Sequence, residues 1–269
     1  MVQKTLITAD TAELVDYIRK LKTEESFLKA RDCLVEICEP NPDPEVINKK
    51  LEIIRRELPG AGIAGLTTGR HSLGVGEGIY SFLLFENSRA EVFHFDCRKL
   101  TPKEAGNILR REIRYKDDIA GIMVFSAGVV LELDDFLNIV AEENVTVVGA
   151  EAGAAVNFSS PEKGATEKPC VLSDRADSCG ILAIVFSGPE LKMHVSYDMG
   201  WKPIGKEMTV TATDGKYSMS RIDNVPAADI YRKYLGVTTD RFFVDNVREF
   251  PIVTKRGGER SCTLPRGLR

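Results

Sequence analysis

A short apolar run, a segment with helical periodicity and a second apolar run occur in that order twice along this chain, and that order confines it to the α/β class. In the first occurrence residues 34–38 lead into segment 44–58, where Ile47, Leu51, Ile54 and Leu58 form one stripe. Asp43 is placed to cap this helix and Pro44 to occupy its first turn. A strand over 62–67 follows, then a Gly-rich connection, then strands 79–85 and 90–95, which the Asn87-Ser88 pair would join as a hairpin. The second occurrence has a strand over 121–125 and a helix around 131–143 with Leu133, Phe136, Leu137 and Val140 on one side. It continues with a strand over 146–150 and an expected hairpin of 180–186 with 192–197. Two pseudo-repeated β-α-β-β-β units are expected, giving mixed parallel and antiparallel sheets covered by helices.

Two further helices would add to the cover. Leu14, Tyr17, Ile18 and Leu21 share a face of segment 11–21. Thr101-Pro102-Lys103-Glu104 has capping-box spacing and opens a bridging helix with Ala105, Ile108, Leu109 and Ile113 on its buried side.

Composition narrows the function classes. A length of 269 residues supports a sizeable core. The net charge of −4 opposes nucleic acid as a partner, since phosphate neutralisation needs concentrated Lys and Arg. No apolar run approaches the roughly 18 residues of a membrane span, and residues 1–10 lack the basic start and apolar core of a secretory signal. A cytoplasmic setting is expected. The six cysteines include no C-x-x-C pair, and Cys33 and Cys38 fall on opposite faces of one strand, so free thiols are expected rather than a metal site. No cofactor is expected. Gly74, Gly76 and Gly78 imitate a phosphate loop, but a strand follows them where a helix N-terminus is required.

Towards the C-terminus the pattern changes to Gly200-Trp201-Lys202-Pro203-Ile204-Gly205, a strand over 208–213, a turn at Asp214-Gly215 and a helix from Pro226 to Gly236. This stretch resembles the end of the FIST N-terminal domain, a sensor module of bacterial signalling proteins that also occurs in F-box proteins. Ile63-Ala64-Gly65-Leu66-Thr67-Thr68-Gly69 resembles the family's strand ending in Gly-x-Ser/Thr-x-Gly, and Val147 to Gly153 resembles the matching strand of the second half. The resemblance implies a sensor domain over 1–236. It also implies that 237–269 is the incomplete start of a FIST C-like segment, with a C-terminal or separate signalling output module as partner.

Thr67, Thr68 and Gly69 end one β-α-β unit and Glu151 ends the other, at the carboxyl strand ends where α/β sheets favour ligands. With Asn157 at the start of the polar connection 157–177 and Trp201 in its turn, these are the candidate ligand-binding residues. Gly65 and Gly149 are explained equally by close packing, and the 157–177 connection by a lid or a surface excursion. If the ligand is an amino acid or derivative, as the resemblance suggests, Thr67 and Thr68 would hold its carboxylate, Glu151 its ammonium, and Trp201 would form a wall. Small-molecule sensing is the leading reading. A protein interaction module is the alternative. Enzymatic turnover has the least support: His71, His94 and His194 form no evident constellation, and no nucleophile elbow is present.

Overall fold

A computed structural model describes residues 1–41, 43–68, 76–127, 131–153, 168–196, 200, 202–215, 218–238, 243–247, 250–256 and 259–263. The chain forms two compact units, Met1–Val195 and Ser196–Arg269. No helix among the described residues is long and apolar enough to cross a membrane.

The first unit contains two mixed sheets. In the first, β1 (Val2–Thr8), β4 (Gly78–Phe85), β2 (Asp32–Glu39) and β3 (Gly62–Thr67) lie side by side, extended by the two-residue strands β8 (Val171–Leu172) and β9 (Ala176–Asp177). In the second, the order is β5 (Arg89–Asp96), β10 (Gly180–Ser187), β6 (Ile119–Ser126), β7 (Val147–Glu151). β2 and β3 are parallel, as are β6 and β7, while β4 and β10 run antiparallel to their neighbours. Helices α1 (Thr11–Leu21) and α3 (Pro44–Glu57) cover the first sheet; α4 (Pro102–Ile113) and α5 (Asp134–Ala141) cover the second. A five-residue helix α2 (Glu25–Lys29) precedes β2.

Strand alternation sorts the core into layers. Val35, Ile37, Ile63, Tyr80 and Phe82 face Leu14, Ile18, Ile47 and Ile54 of the helices. The alternate residues Leu34, Ala64, Leu66, Leu83 and Phe85 meet Phe125, Leu182, Ile184 and Phe186 of the other sheet, with the Phe85 and Phe186 rings 6.3 Å apart. Ile122, Val124, Ile181 and Val185 in turn face Leu109, Phe136 and Val140. The result is a helix–sheet–sheet–helix stack. β10 is buried along all eight residues because it is central in its sheet and covered on both faces. Each such fully buried Leu, Ile or Phe contributes about 1.5–3 kcal/mol.

The helix signals act as expected. Asp43 Oδ1 accepts from Glu45 N at 2.9 Å. Thr101 Oγ1 accepts from Glu104 N, and the Glu104 carboxylate accepts from Thr101 N, completing the capping box.

Neither expected hairpin forms. β4 and β5 are joined through Asn87-Ser88 but lie in different sheets, because β1 and β2 already occupy both edges of β4. Residues 192–196 are irregular, because β10 is already flanked by β5 and β6. The β-α-β-β-β unit is therefore not the one the sheets display. They share a different sequence of pieces: strand, helix, strand, helix, parallel strand, and a last strand inserted between the first two.

The second unit has β11 (Val210–Thr213), β12 (Met219–Ile222) and β13 (Val225–Pro226) in one antiparallel sheet. Helix α6 (Ala227–Leu235) ends at Gly236 with φ +66°, a left-handed cap that glycine adopts without strain. Tyr231 of α6 packs edge-on against Phe243 of α7 (Phe243–Val247), with ring centroids 5.5 Å apart. The pair β14 (Ile252–Arg256) and β15 (Glu259–Thr263) follows.

Candidate functional site

In each sheet of the first unit a glycine on the outer parallel strand faces a β-branched residue of its partner: Gly65 opposite Ile37, and Gly149 opposite Val124. A Cβ at Gly65 would lie 2.2 Å from the Ile37 carbonyl oxygen, and one at Gly149 would lie 1.8 Å from that of Val124. Of the two explanations open for these glycines, close backbone packing is the one observed.

Two residues beyond Gly65 the strand ends are sewn together. Thr67 is fully buried. Its N–H donates to the Cys170 carbonyl at 2.9 Å, its hydroxyl accepts from Cys170 N at 2.8 Å, and the same hydroxyl donates to the Gly153 carbonyl at 2.9 Å. Gly153 N returns a bond to the Thr67 carbonyl at 2.8 Å, and Ala152 N donates to Ser126 O at 2.8 Å. The carboxyl ends of β3 and β7 are thus brought to one junction, which places Thr67 close to the end of the strand that carries Glu151. The Thr67 hydroxyl is occupied by this junction. Glu151 is exposed at the end of β7. Gly69, Asn157 and Trp201 lie outside the described residues, as does His71.

Thr68 differs from its neighbour. Its N–H donates to the Glu39 carbonyl at 2.9 Å, but its buried hydroxyl has no hydrogen-bond partner among the described residues. Ser126, at the end of β6, carries a second such hydroxyl. Leaving a buried hydroxyl unpaired costs about 1–3 kcal/mol, so each marks a place where a partner would be gained.

The sheet face that turns towards the other sheet is also polar near this end. Cross-strand rows run Thr5, Ser81, Glu36, Ala64 and then Ile7, Ile79, Cys38, Leu66, with Thr68 two residues beyond Leu66. Glu36 and Cys38 are half-buried, whereas Ile7 at the β1 edge is 56% exposed, so the rows reach solvent there. Burial raises the Glu36 carboxyl above its ordinary pKa. Burial, then the Glu36 charge, does the same to the Cys38 thiol.

The face turned towards α3 holds an ion pair that the sequence reading missed. Lys50 Nζ lies 2.7 Å from Glu39 Oε2, with side chains only 7% and 1% exposed. Tyr80 donates to the same oxygen at 3.1 Å, and Asn41 N donates to Glu39 Oε1 at 3.1 Å. Burial, then the Glu39 charge, pushes the Tyr80 phenol up. The signal in the sequence was Lys50 itself, a charged residue three positions after Ile47 and next to Leu51 within the apolar stripe.

The histidines do not correspond across the two sheets. His94 lies in β5 with Nε2 2.9 Å from Asp177 Oδ2, whereas His194 is exposed in the irregular segment after β10. Two surface concavities, of about 480 Å3 along α4 and about 200 Å3 beside Ile113 and Lys116, are lined by neither Thr67, Thr68 nor Glu151, the described candidates.

Residues 35–224, well over half of the chain, match the FIST N domain family. The match starts in β2 and ends at Asn224, before the segment 237–269. A search of the curated proteins found no match.

Proposed function

Because the chain belongs to the FIST family, whose N domain is a sensor-type domain of signal transduction proteins, we propose that its first unit binds a small molecule at the carboxyl ends of β2 and β3. The observation that carries this reading is the Thr68 hydroxyl, buried at a strand end with no partner among the described residues. Around it the Thr67 junction fixes the backbone, and Glu36 and Cys38 extend the polar face. A ligand oxygen or nitrogen meeting Thr68 would supply the hydrogen bond that no described residue makes. An amino acid or derivative fits this chemistry. Its carboxylate would be held by Thr68 and neighbouring backbone N–H groups, and its ammonium by a carboxylate of the site, Glu36 or Glu151. The setting is cytoplasmic, and ligand occupancy is read by an output module outside the described units.

The test has two parts. Small molecules released from the purified, denatured protein are identified by mass spectrometry, and a panel of amino acids and related metabolites is screened by thermal unfolding. At 100 times its dissociation constant a ligand of the native state adds about 2.7 kcal/mol, which for a domain of this size raises the melting midpoint by about 5–10 °C. Thr68→Val should keep or raise the unliganded midpoint, since it removes a buried hydroxyl that no described residue bonds, and should reduce the ligand-induced shift. A broad panel with no shift, together with no copurified metabolite, overturns this reading in favour of a protein interaction module.

A further inference from the structure

Cys97 and Cys179 stand directly opposite one another where β5 and β10 begin to part. The ladder pairs Asp96 with Gly180, and one step further Cys97 N donates to the Cys179 carbonyl at 2.8 Å. Opposed residues project to the same side of a sheet, here the side covered by α4 and α5, where Cys97 packs against the core. Both side chains are half-buried free thiols. Directly opposed residues of an antiparallel pair have Cα atoms about 4.5–5.5 Å apart. That spacing falls within the roughly 4.4–6.8 Å that a disulfide spans.

The surrounding bonds hold the two strand ends in this relation. Asp177 Oδ1 accepts from Cys179 N at 2.9 Å and pairs with Arg98 at 2.8 Å, so one buried carboxylate grips the residue beside Cys97 and the backbone of Cys179. Arg98 also pairs with Asp96 at 2.8 Å. The other described thiols lack this arrangement. Cys33 is opposed by Leu84, and Cys38 by Ile79 on one side and Leu66 on the other.

We propose that Cys97 and Cys179 form a dithiol modification site that is oxidised to an intramolecular disulfide by a low-molecular-weight disulfide. One protein thiolate attacks a sulfur of the external disulfide and expels one thiolate, leaving a mixed disulfide on the protein. The second protein thiolate then attacks the protein sulfur of that bond and expels the other external thiolate. Two protein thiols are oxidised, one external disulfide is reduced to two thiols, and the two protons end on the released thiols. Burial, followed by Cys179, Asp177 and Asp96, pushes the Cys97 thiol up to about 11, against the pull of Arg98. An attack that begins at Cys97 is therefore slow near neutral pH. The new bond closes a loop containing β6, α5 and β7, and so ties the strand that carries Glu151 into a cyclic segment.

The experiment titrates the full 269-residue protein with oxidised against reduced glutathione and maps peptides under non-reducing conditions. The expected result is one linked peptide pair joining Cys97 to Cys179, with a rise in melting midpoint of about 5–10 °C for the oxidised form. Cys97→Ser and Cys179→Ser should each stop at the mixed disulfide, with one glutathione on the remaining thiol. The mapping of the unmutated protein stands alone if either variant fails to fold. Persistent glutathionylation of the unmutated protein without a Cys97–Cys179 link overturns the proposal, as does linkage of either residue to another cysteine in equal yield.

Discussion

Lys50 and Glu39 illustrate how much one side chain can matter when its charge is buried. Lys50→Met would leave the Glu39 carboxylate, 1% exposed, without its cation. Removing one partner of such a pair costs about 3–5 kcal/mol, whereas replacing both with apolar residues of similar size is often neutral. Urea denaturation of Lys50→Met, Glu39→Leu and the double variant should therefore show two strongly destabilised singles and a double that recovers most of the loss. Additive losses in the double would show that the pair is not coupled. Glu36 provides a case of opposite sign. Its pKa is raised on folding, so the proton favours the folded form: that stability is fully present below the ordinary value of 4.5 and is lost as pH rises through the folded value. Glu36→Gln, which never ionises, should denature at higher urea than the unmutated protein at pH 7, with the gap narrowing towards pH 4. Equal midpoints across that range would count against a carboxylate raised by burial. Thr68 and Lys50 also mark the limit of reading sites from sequence. The strand-end pattern singles out Thr67 and Thr68 alike, but the Thr67 hydroxyl is spent on Gly153 and Cys170, residues far away in the chain.

Among the elements, Gly65 and Gly149 make the sharpest claim. Alanine at either position would drive a methyl into a carbonyl oxygen of the neighbouring strand, and backbone, unlike a flexible side chain, cannot step aside. Each substitution should cost about 1–3 kcal/mol or more in chemical denaturation, the range for overpacking a closed site. Alanine at the exposed, unobstructed Gly76 should cost far less and is the control. Full stability in Gly65→Ala would mean that β2 and β3 are not so close. Helices α1, α3 and α4 were legible almost to the residue because capping and periodicity are local properties. The strands of both sheets were legible as strands, apart from β1 and the two-residue β8 and β9. The parallel pairs β2–β3 and β6–β7 followed from the β-α-β order, but the antiparallel partners did not, because a hairpin inferred from Asn87-Ser88 competes with pairings to β1 and β10, decided by which apolar faces meet.

Across the whole molecule, the described core residues divide cleanly: the three clusters of the first unit contain none of them beyond Met193, and the fourth none before Tyr231. A chain ending at Val195 should accordingly keep both sheets folded and unfold in one cooperative transition. The sequence-derived limit at Gly236 falls between Tyr231 and its ring partner Phe243, so a chain ending there should keep the first unit folded while α6 becomes sensitive to protease. Rapid cleavage inside β6 or β10 of either truncated chain would contradict the division. The placement of β10 carries a consequence for synthesis. It is the last strand of the first unit to leave the ribosome, yet it belongs between β5 and β6. Until Ser187 has emerged, those two apolar strands present unfilled edges to whatever is nearby, so the nascent chain passes through a window in which intermolecular pairing competes with completion of its own sheet.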